Sequence, residues 1–399
     1  MRLRVPAALL LCAAAYYVYL PLPPGVCEPR KLMLLDALFR SFMTAGELLH
    51  ALGLLHRVHL LNWVVSLLEE VPARSCSALN VTDTTLGGVP TRVYRPRGAE
   101  RARRAVLYFH GGGWALGSAR MRSYDLLCRK MAEDLDAVVM SVDYALAPDS
   151  VFPVQYWDAL SASRSFLSAH TWLRFGLDGD RLCVSGDSAG ANLAAAVAQT
   201  LALAPPLAAR FSVQALVYPV LQALDFHTSS YQQNQAVPIL YRPVMARFWL
   251  QYLDADPLLE ASLLLNRHSS ALHADTRSKI NWTALLPAQV RKHYRPVAAD
   301  TGPGAAPPVF LDVRAAPLLA DDAVLSRTPR AYVLTCEFDV LRDDGMMYAR
   351  RLSDAGVAVT TDHYGDGFHG CMVFANLPMM SDVGRRSEAG FIRWLDQNL

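Results

Sequence analysis

Short apolar runs separated by amphipathic stretches set the rhythm of this chain. The runs are Ala105 to Phe109, Ala137 to Val142, Leu182 to Val184, Val213 to Tyr218, Ala331 to Thr335 and Val357 to Tyr364. Runs this short read as strands, and their alternation with helical patterns predicts an α/β fold with a mostly parallel sheet flanked by helices. Val81 to Thr85 and Thr91 to Tyr94, parted by Leu86-Gly87-Gly88-Val89-Pro90, predict a hairpin that begins the sheet. Upstream, residues 31 to 70 carry leucines, Phe39, Phe42, Trp63 and Val64 to Leu68 at mixed helical spacing, the pattern of one or two amphipathic cap helices. Irregular sequence from Asp225 to Pro308, with a helical patch near Val244 to Tyr252, interrupts the rhythm and reads as a second cap segment.

The start of the chain follows another pattern. After Met1-Arg2-Leu3-Arg4 no charge appears until Glu28, and the greasiest part runs from Val5 to Leu20. A basic start followed by an apolar stretch predicts a membrane-targeting segment. Tyr16, Tyr17 and Tyr19 favour a retained anchor helix, while Ala13-Ala14-Ala15 leaves a cleaved signal peptide as the alternative. Arg2 and Arg4 would keep the N-terminus cytosolic and place the rest in the lumen. The expected division is an anchor over 1–24, a helical cap region over 25–78 and the main domain over 79–399, with a cap insertion around 225–308.

Composition narrows the function classes. Hydrophobic residues make up 52% of the 399 and charged ones 19%, which fits a membrane segment or a greasy surface. A net charge of +2 with no dense basic block leaves no footprint for nucleic acid. Asn80-Val81-Thr82 and Asn281-Trp282-Thr283 are glycosylation sequons, usable only in a lumenal protein. Seven cysteines are too sparse for a disulfide scaffold, and the odd count leaves at least one free. No Cys-x-x-Cys occurs and His56-x-x-His59 lacks a third ligand, so neither metal nor cofactor is expected.

The chemistry gathers at predicted strand ends, where open α/β sheets place their sites. Gly186-Asp187-Ser188-Ala189-Gly190 follows one strand and opens an alanine-rich helix, the setting of a nucleophile elbow, with Ser188 as nucleophile. A serine hydroxyl needs a base, and the base needs an orienting carboxylate. His369, in the glycine-rich loop after the last strand, is preferred over His363 within that strand. Asp339 is preferred as the acid, with Glu337 its nearest rival; Asp343 and Asp344 read as helix-start residues. Asp187 is expected to support the elbow. Gly111 and Gly112, after His110, are expected to offer amide hydrogens to a developing oxyanion, completed by the amide of Ala189, with His110 shaping the turn.

Together, His110-Gly111-Gly112-Gly113-Trp114, Asp143 to Pro148, Gly186 to Gly190, Asp339 to Gly345 and Gly367-Phe368-His369-Gly370 resemble the hormone-sensitive lipase branch of the α/β-hydrolases. The resemblance implies an α/β-hydrolase fold with a helical cap and a type II endoplasmic-reticulum membrane enzyme acting on acetylated arylamines and short-acyl esters. It also implies Ser188, Asp339 and His369 as the triad, His110 to Gly112 as the oxyanion motif, and glycans on Asn80 and Asn281. A neutral-lipid esterase, or a non-catalytic small-molecule binder, are the alternatives. The chain departs from that branch at Ala145 and Asp149, where a supporting salt bridge is expected to loosen. It departs again at Ala115, where relatives carry a cysteine, so the implied disulfide to Cys336 cannot form.

Overall fold

Two adjacent glycines at positive φ, Gly87 (61°) and Gly88 (87°), turn strand β1 (Leu79–Leu86) back onto β2 (Val89–Pro96). The computed structural model describes residues 4–98, 103–205, 208–292, 294–297, 306–376 and 381–399. Beyond the hairpin come β3 (Arg103–Phe109), β4 (Val138–Val142), β5 (Leu177–Asp187), β6 (Val213–Val217), β7 (Arg330–Phe338) and β8 (Val359–Phe368). They form an eight-stranded sheet in the order β1-β2-β4-β3-β5-β6-β7-β8. The pairs β1·β2 and β2·β4 are antiparallel, and every later pair is parallel. All five residues of β4 and of β6 are buried, as expected where both faces of a parallel sheet are covered.

Three helices, α1 (Arg4–Val18), α2 (Pro29–Ala51) and α3 (Arg57–Glu69), precede the sheet. Within it come α4 (Arg122–Leu135), α5 (Val154–Phe166), α6 (Ala169–Phe175) and α7 (Ala189–Leu203). α4 buries Tyr124, Leu127, Cys128, Met131, Ala132 and Leu135, the i, i+3, i+4 stripe of an amphipathic helix. Together with the C-terminal helix Asp382–Asn398 it covers one face of the sheet. α5, α7 and the helix Arg342–Asp354 cover the other. α7 is alanine-rich and buried almost all round, because cap segments cover the side that the sheet does not. The insertion after β6 holds α8 (Ser229–Gln233), α9 (Arg242–Tyr252) and several shorter turns.

α1 is 15 residues long. A membrane span needs about 20 apolar residues, and no helix among the described residues is long and apolar enough to cross a membrane. The expected anchor is thus not seen as a spanning helix, and Arg2, which carried part of its orientation, lies outside the described residues. α2 is tied to the rest through buried Asp36, which accepts from Arg40 (2.5 Å) and from Tyr241 of the insertion (2.6 Å).

Asp343 and Asp344 stand in the first turn of their helix, as the helix-start reading expects, though neither caps it. Asp343 accepts from the Ser229 hydroxyl (2.7 Å) and the Ser230 amide (2.6 Å), joining the helix to α8. Asp344 accepts from the Leu221 amide (2.9 Å) and Gln222 Nε2 (3.0 Å). Burial pushes the Asp344 carboxyl up to about 7, against those two hydrogen bonds. An acid raised in the folded state adds stability below its unfolded value near 3.8, and that stability is lost as pH rises through about 7. Thermal midpoints from about pH 5 to about pH 8 will therefore fall further for the wild type than for Asp344→Asn, whose profile is flatter. Parallel profiles would contradict this assignment.

Candidate active site

At the end of β5 the chain turns into α7 with almost no room. A Cβ on Gly190 would lie 2.0 Å from the Phe109 carbonyl oxygen, and one on Gly186 would lie 2.5 Å from the Gly190 carbonyl. Only glycine fits at either position, so β5, β3 and α7 come together there. Between them Ser188 takes φ 54° and ψ −117°, a conformation that side chains rarely adopt and that recurs at functional sites. Its amide donates to the Val217 carbonyl (2.9 Å), fixing the turn to β6.

The loops after β7 and β8 bring two further groups to this point. His369 Nε2 lies 2.9 Å from Ser188 Oγ, and its Nδ1 lies 2.8 Å from Asp339 Oδ2. A carboxylate only accepts, so Nδ1 carries the proton and Nε2 presents its lone pair to the serine hydroxyl. Asp339 is anchored in turn by the Leu341 amide (2.8 Å). All three side chains are buried, and the Tyr218 ring flanks the imidazole at 4.9 Å.

The rivals pair with each other elsewhere. His363 bonds Thr335 Oγ1 (3.0 Å) and sits 3.4 Å from Glu337. Burial works to raise the Glu337 carboxyl, but His363, Arg342 and Gln233 outweigh it and hold the group down at about 2.

The glycine loop departs from expectation at Gly111. Its amide is already spent on Tyr124 Oη (2.9 Å) and Asp187 Oδ1 (3.0 Å), so it has no hydrogen left for an oxyanion. Gly112 (φ 110°) and Gly113 (φ 61°) follow in the left-handed region. Among the described residues their amides, and that of Ala189 at the start of α7, meet no protein acceptor. Of the expected donors this leaves Gly112 and Ala189, and Gly113 adds a third amide without a protein acceptor among the described residues. His110 is buried and stacked on Tyr144 (4.4 Å), with its Nδ1 donating to the Gly111 carbonyl at 2.7 Å. Burial lowers its pKa and favours the neutral ring, which shapes the turn.

Asp187 holds this loop. It accepts from Tyr108 (2.9 Å), Tyr124 (3.2 Å) and Gly111, and burial still pushes its carboxyl up to about 6. Asn234 plays the matching part for the acid loop, donating to the carbonyls of Glu337 (2.8 Å) and Asp339 (3.0 Å). Neither Tyr124 nor Asn234 had a signal in the sequence, since both act through contacts made only on folding. With alanine at 115, the glycine loop is held by Asn62, which donates to the Ala115 carbonyl (2.6 Å) and accepts from the Gly117 amide (3.2 Å). Trp114 stacks on Tyr252 of the insertion at 4.1 Å. At the other departure, the Ala145 amide donates to Asp158 (2.9 Å) and Asp149 pairs with His59 of α3 (3.2 Å). Asn80 and Asn281 are both exposed, and Asn281 Oδ1 accepts from Thr283 of its own sequon (2.7 Å).

A model of the alpha/beta hydrolase fold matches residues 106–290 and 265–373. Over 399 residues the chain is 48% identical to neutral cholesterol ester hydrolase 1 of Bos taurus, covering 98% of both chains. It is 42% identical over 389 residues to arylacetamide deacetylase of Oryctolagus cuniculus, covering 96% of both. Among solved structures it is similar to a thermostable esterase from Pseudomonas putida, with a TM-score of 0.64 and 25% identity over 94% of this chain and 98% of that one. An esterase from Pyrobaculum calidifontis gives a TM-score of 0.61 and 27% identity over 92% and 93%.

A Cβ at Gly112 would fall 2.1 Å from the Leu116 carbonyl oxygen, at a φ that alanine resists. Gly112→Ala will therefore displace one donor and lower kcat on a nitrophenyl ester by about 10²- to 10³-fold. An unchanged kcat would remove Gly112 from the donor set.

Proposed function

The chain belongs to the alpha/beta hydrolase fold family, and on that footing we propose that Ser188, His369 and Asp339 hydrolyse lipophilic esters and amides through an acyl-enzyme. The family, the relatives and the structural neighbours mark the chain as a carboxylic-ester hydrolase. The observation that carries the residue assignment is the unbroken relay of 2.9 Å and 2.8 Å from serine through histidine to aspartate. As Ser188 Oγ attacks the carbonyl carbon, its proton moves to His369 Nε2, and Asp339 stabilises the imidazolium. Negative charge forms on the former carbonyl oxygen and meets the amides of Gly112, Gly113 and Ala189. His369 returns the proton to the departing alcohol or amine, and a water then repeats the sequence to free Ser188.

For substrates we propose acetylated arylamines and short-acyl esters, the class that the relative named arylacetamide deacetylase supports. Neutral-lipid esters are the second reading, favoured by the higher identity to neutral cholesterol ester hydrolase 1, 48% against 42%. Purified enzyme assayed on nitrophenyl esters from acetate to palmitate, on an N-acetylated arylamine and on a cholesteryl ester separates them. A rate that falls with chain length, with amide turnover, supports the first; cholesteryl ester turnover without amide cleavage supports the second. In either case a fluorophosphonate labels the wild type and not Ser188→Ala, while Asp339→Asn lowers kcat about 10⁴-fold. Labelling that persists in Ser188→Ala would overturn the assignment.

A membrane-bound, lumenal enzyme of the endoplasmic reticulum is also proposed. Its support is the uncharged stretch before Glu28, the exposure of both sequon asparagines, and an apolar surface on α2 and α3. That surface exposes Leu34, Leu38, Leu48, Trp63 and Leu67, positions able to rest at a bilayer interface where greasy substrates dissolve. Protein from mammalian cells will lose mass on endoglycosidase treatment, in two steps removed singly by Asn80→Gln and Asn281→Gln. An unmodified membrane-fraction protein would contradict lumenal exposure.

A further inference from the structure

Cys336 lies near the end of β7, three residues before Asp339, and Cys371 lies two residues after His369. Their Sγ atoms approach to 3.7 Å, and both side chains are fully buried. Gly367 makes the approach possible, since a Cβ there would fall 2.9 Å from Cys336 Sγ and push the histidine loop away. The two residues carry the loops that present the acid and the base, and the sulfurs face each other behind that pair. The other buried cysteines are Cys128 on α4 and Cys183 on β5.

We propose that Cys336 and Cys371 form a disulfide that staples the Asp339 loop to the His369 loop. A disulfide sulfur pair lies about 2.05 Å apart, so the thiols, 3.7 Å apart, must close by roughly 1.6 Å. The oxidant is a small or protein disulfide of the glutathione type. One cysteine thiolate attacks the oxidant's S–S bond, forming a mixed disulfide and releasing one thiol. The second cysteine then attacks its partner's sulfur and releases the other thiol. Two electrons leave the cysteine pair and reduce the oxidant, and the two cysteine protons end on the released thiols.

Neighbouring Cys371 and burial hold the Cys336 thiol well above its ordinary range, which leaves that sulfur little thiolate with which to react once folded. The bond therefore closes during folding, before the loops pack, and is then shielded from reductants. It spans 35 residues of chain and so narrows the unfolded ensemble. In the folded state it limits the relative motion of the loops that hold the 2.8 Å contact between His369 and Asp339.

The test refolds the full chain in oxidised glutathione and, separately, under reducing conditions, followed by acid quench, alkylation under denaturing conditions and peptide mapping. The expected result is a linked peptide pair containing Cys336 and Cys371, lighter by two hydrogen atoms than the sum of the free peptides. The oxidised protein should also unfold several degrees above the reduced protein, a difference absent in Cys371→Ala. Alkylation of both cysteines after oxidative refolding, or a link from either to another cysteine, would overturn the proposal. Fluorophosphonate labelling of Ser188 in the same samples reports on the hydrolase reading independently, because the serine chemistry does not need the bond.

Discussion

The crowding where β5 enters α7 is the constraint around which the rest of the molecule is arranged. Phe109 at the end of β3 and the first turn of α7 approach so closely that no Cβ fits at 186 or 190. That contact forces Ser188 into φ 54° and lifts its hydroxyl out of the turn toward the loops after β7 and β8. The same contact places the glycine loop after β3 beside the start of α7, so that amides from two chain segments face one region. A strained serine persists only because its surroundings over-determine it. Here two glycines and the hydrogen bond from the Ser188 amide to β6 do so.

Buried polar groups do the remaining positioning. Asp187 gathers two tyrosine hydroxyls and the Gly111 amide under the glycine loop. On the acid side, Arg342 is fully buried between Glu337, Asp343, Gln233 and Ser229, and Asn234 grips the Asp339 carbonyl. Such networks rigidify a site when complete and are costly when one member is lost, because the remaining charges stay buried and unpaired. The insertion after β6 is therefore part of the support of the site: α8 supplies Ser229, Gln233 and the adjoining Asn234 contact. Trp249 and Tyr252 of α9 close over Trp114 in the glycine loop.

Much of this was legible because the relevant signals are local. Alternating apolar runs located the sheet, since burial on both faces demands them, and glycine spacing at 186–190 marked the turn. The strand ends were harder: β5 begins at Leu177, where Asp178, Asp180 and Arg181 hide it among polar residues, and β8 continues to Phe368 through an exposed, polar edge. One assignment changed and another gained a second part. Gly111 lost its donor role to Tyr124 and Asp187, and Asp343 and Asp344, at the helix start as expected, turn their carboxylates to Ser229, Ser230, Leu221 and Gln222. In each case a long-range partner engages the group, and spacing along the chain carries no record of such partners. The closeness of Cys336 and Cys371 was hidden likewise, because it depends on the parallel pairing of β7 with β8.

Ser188, and no other group, is proposed to carry the acyl chain between attack and release. Mixing concentrated enzyme with nitrophenyl acetate, quenching in acid within milliseconds and mapping the peptides by mass tests it directly. A burst of nitrophenol near one per enzyme and an acetyl group on the peptide holding Ser188 are expected. Acetyl on a different residue, or turnover with neither burst nor adduct under conditions where deacylation is slow, would contradict it.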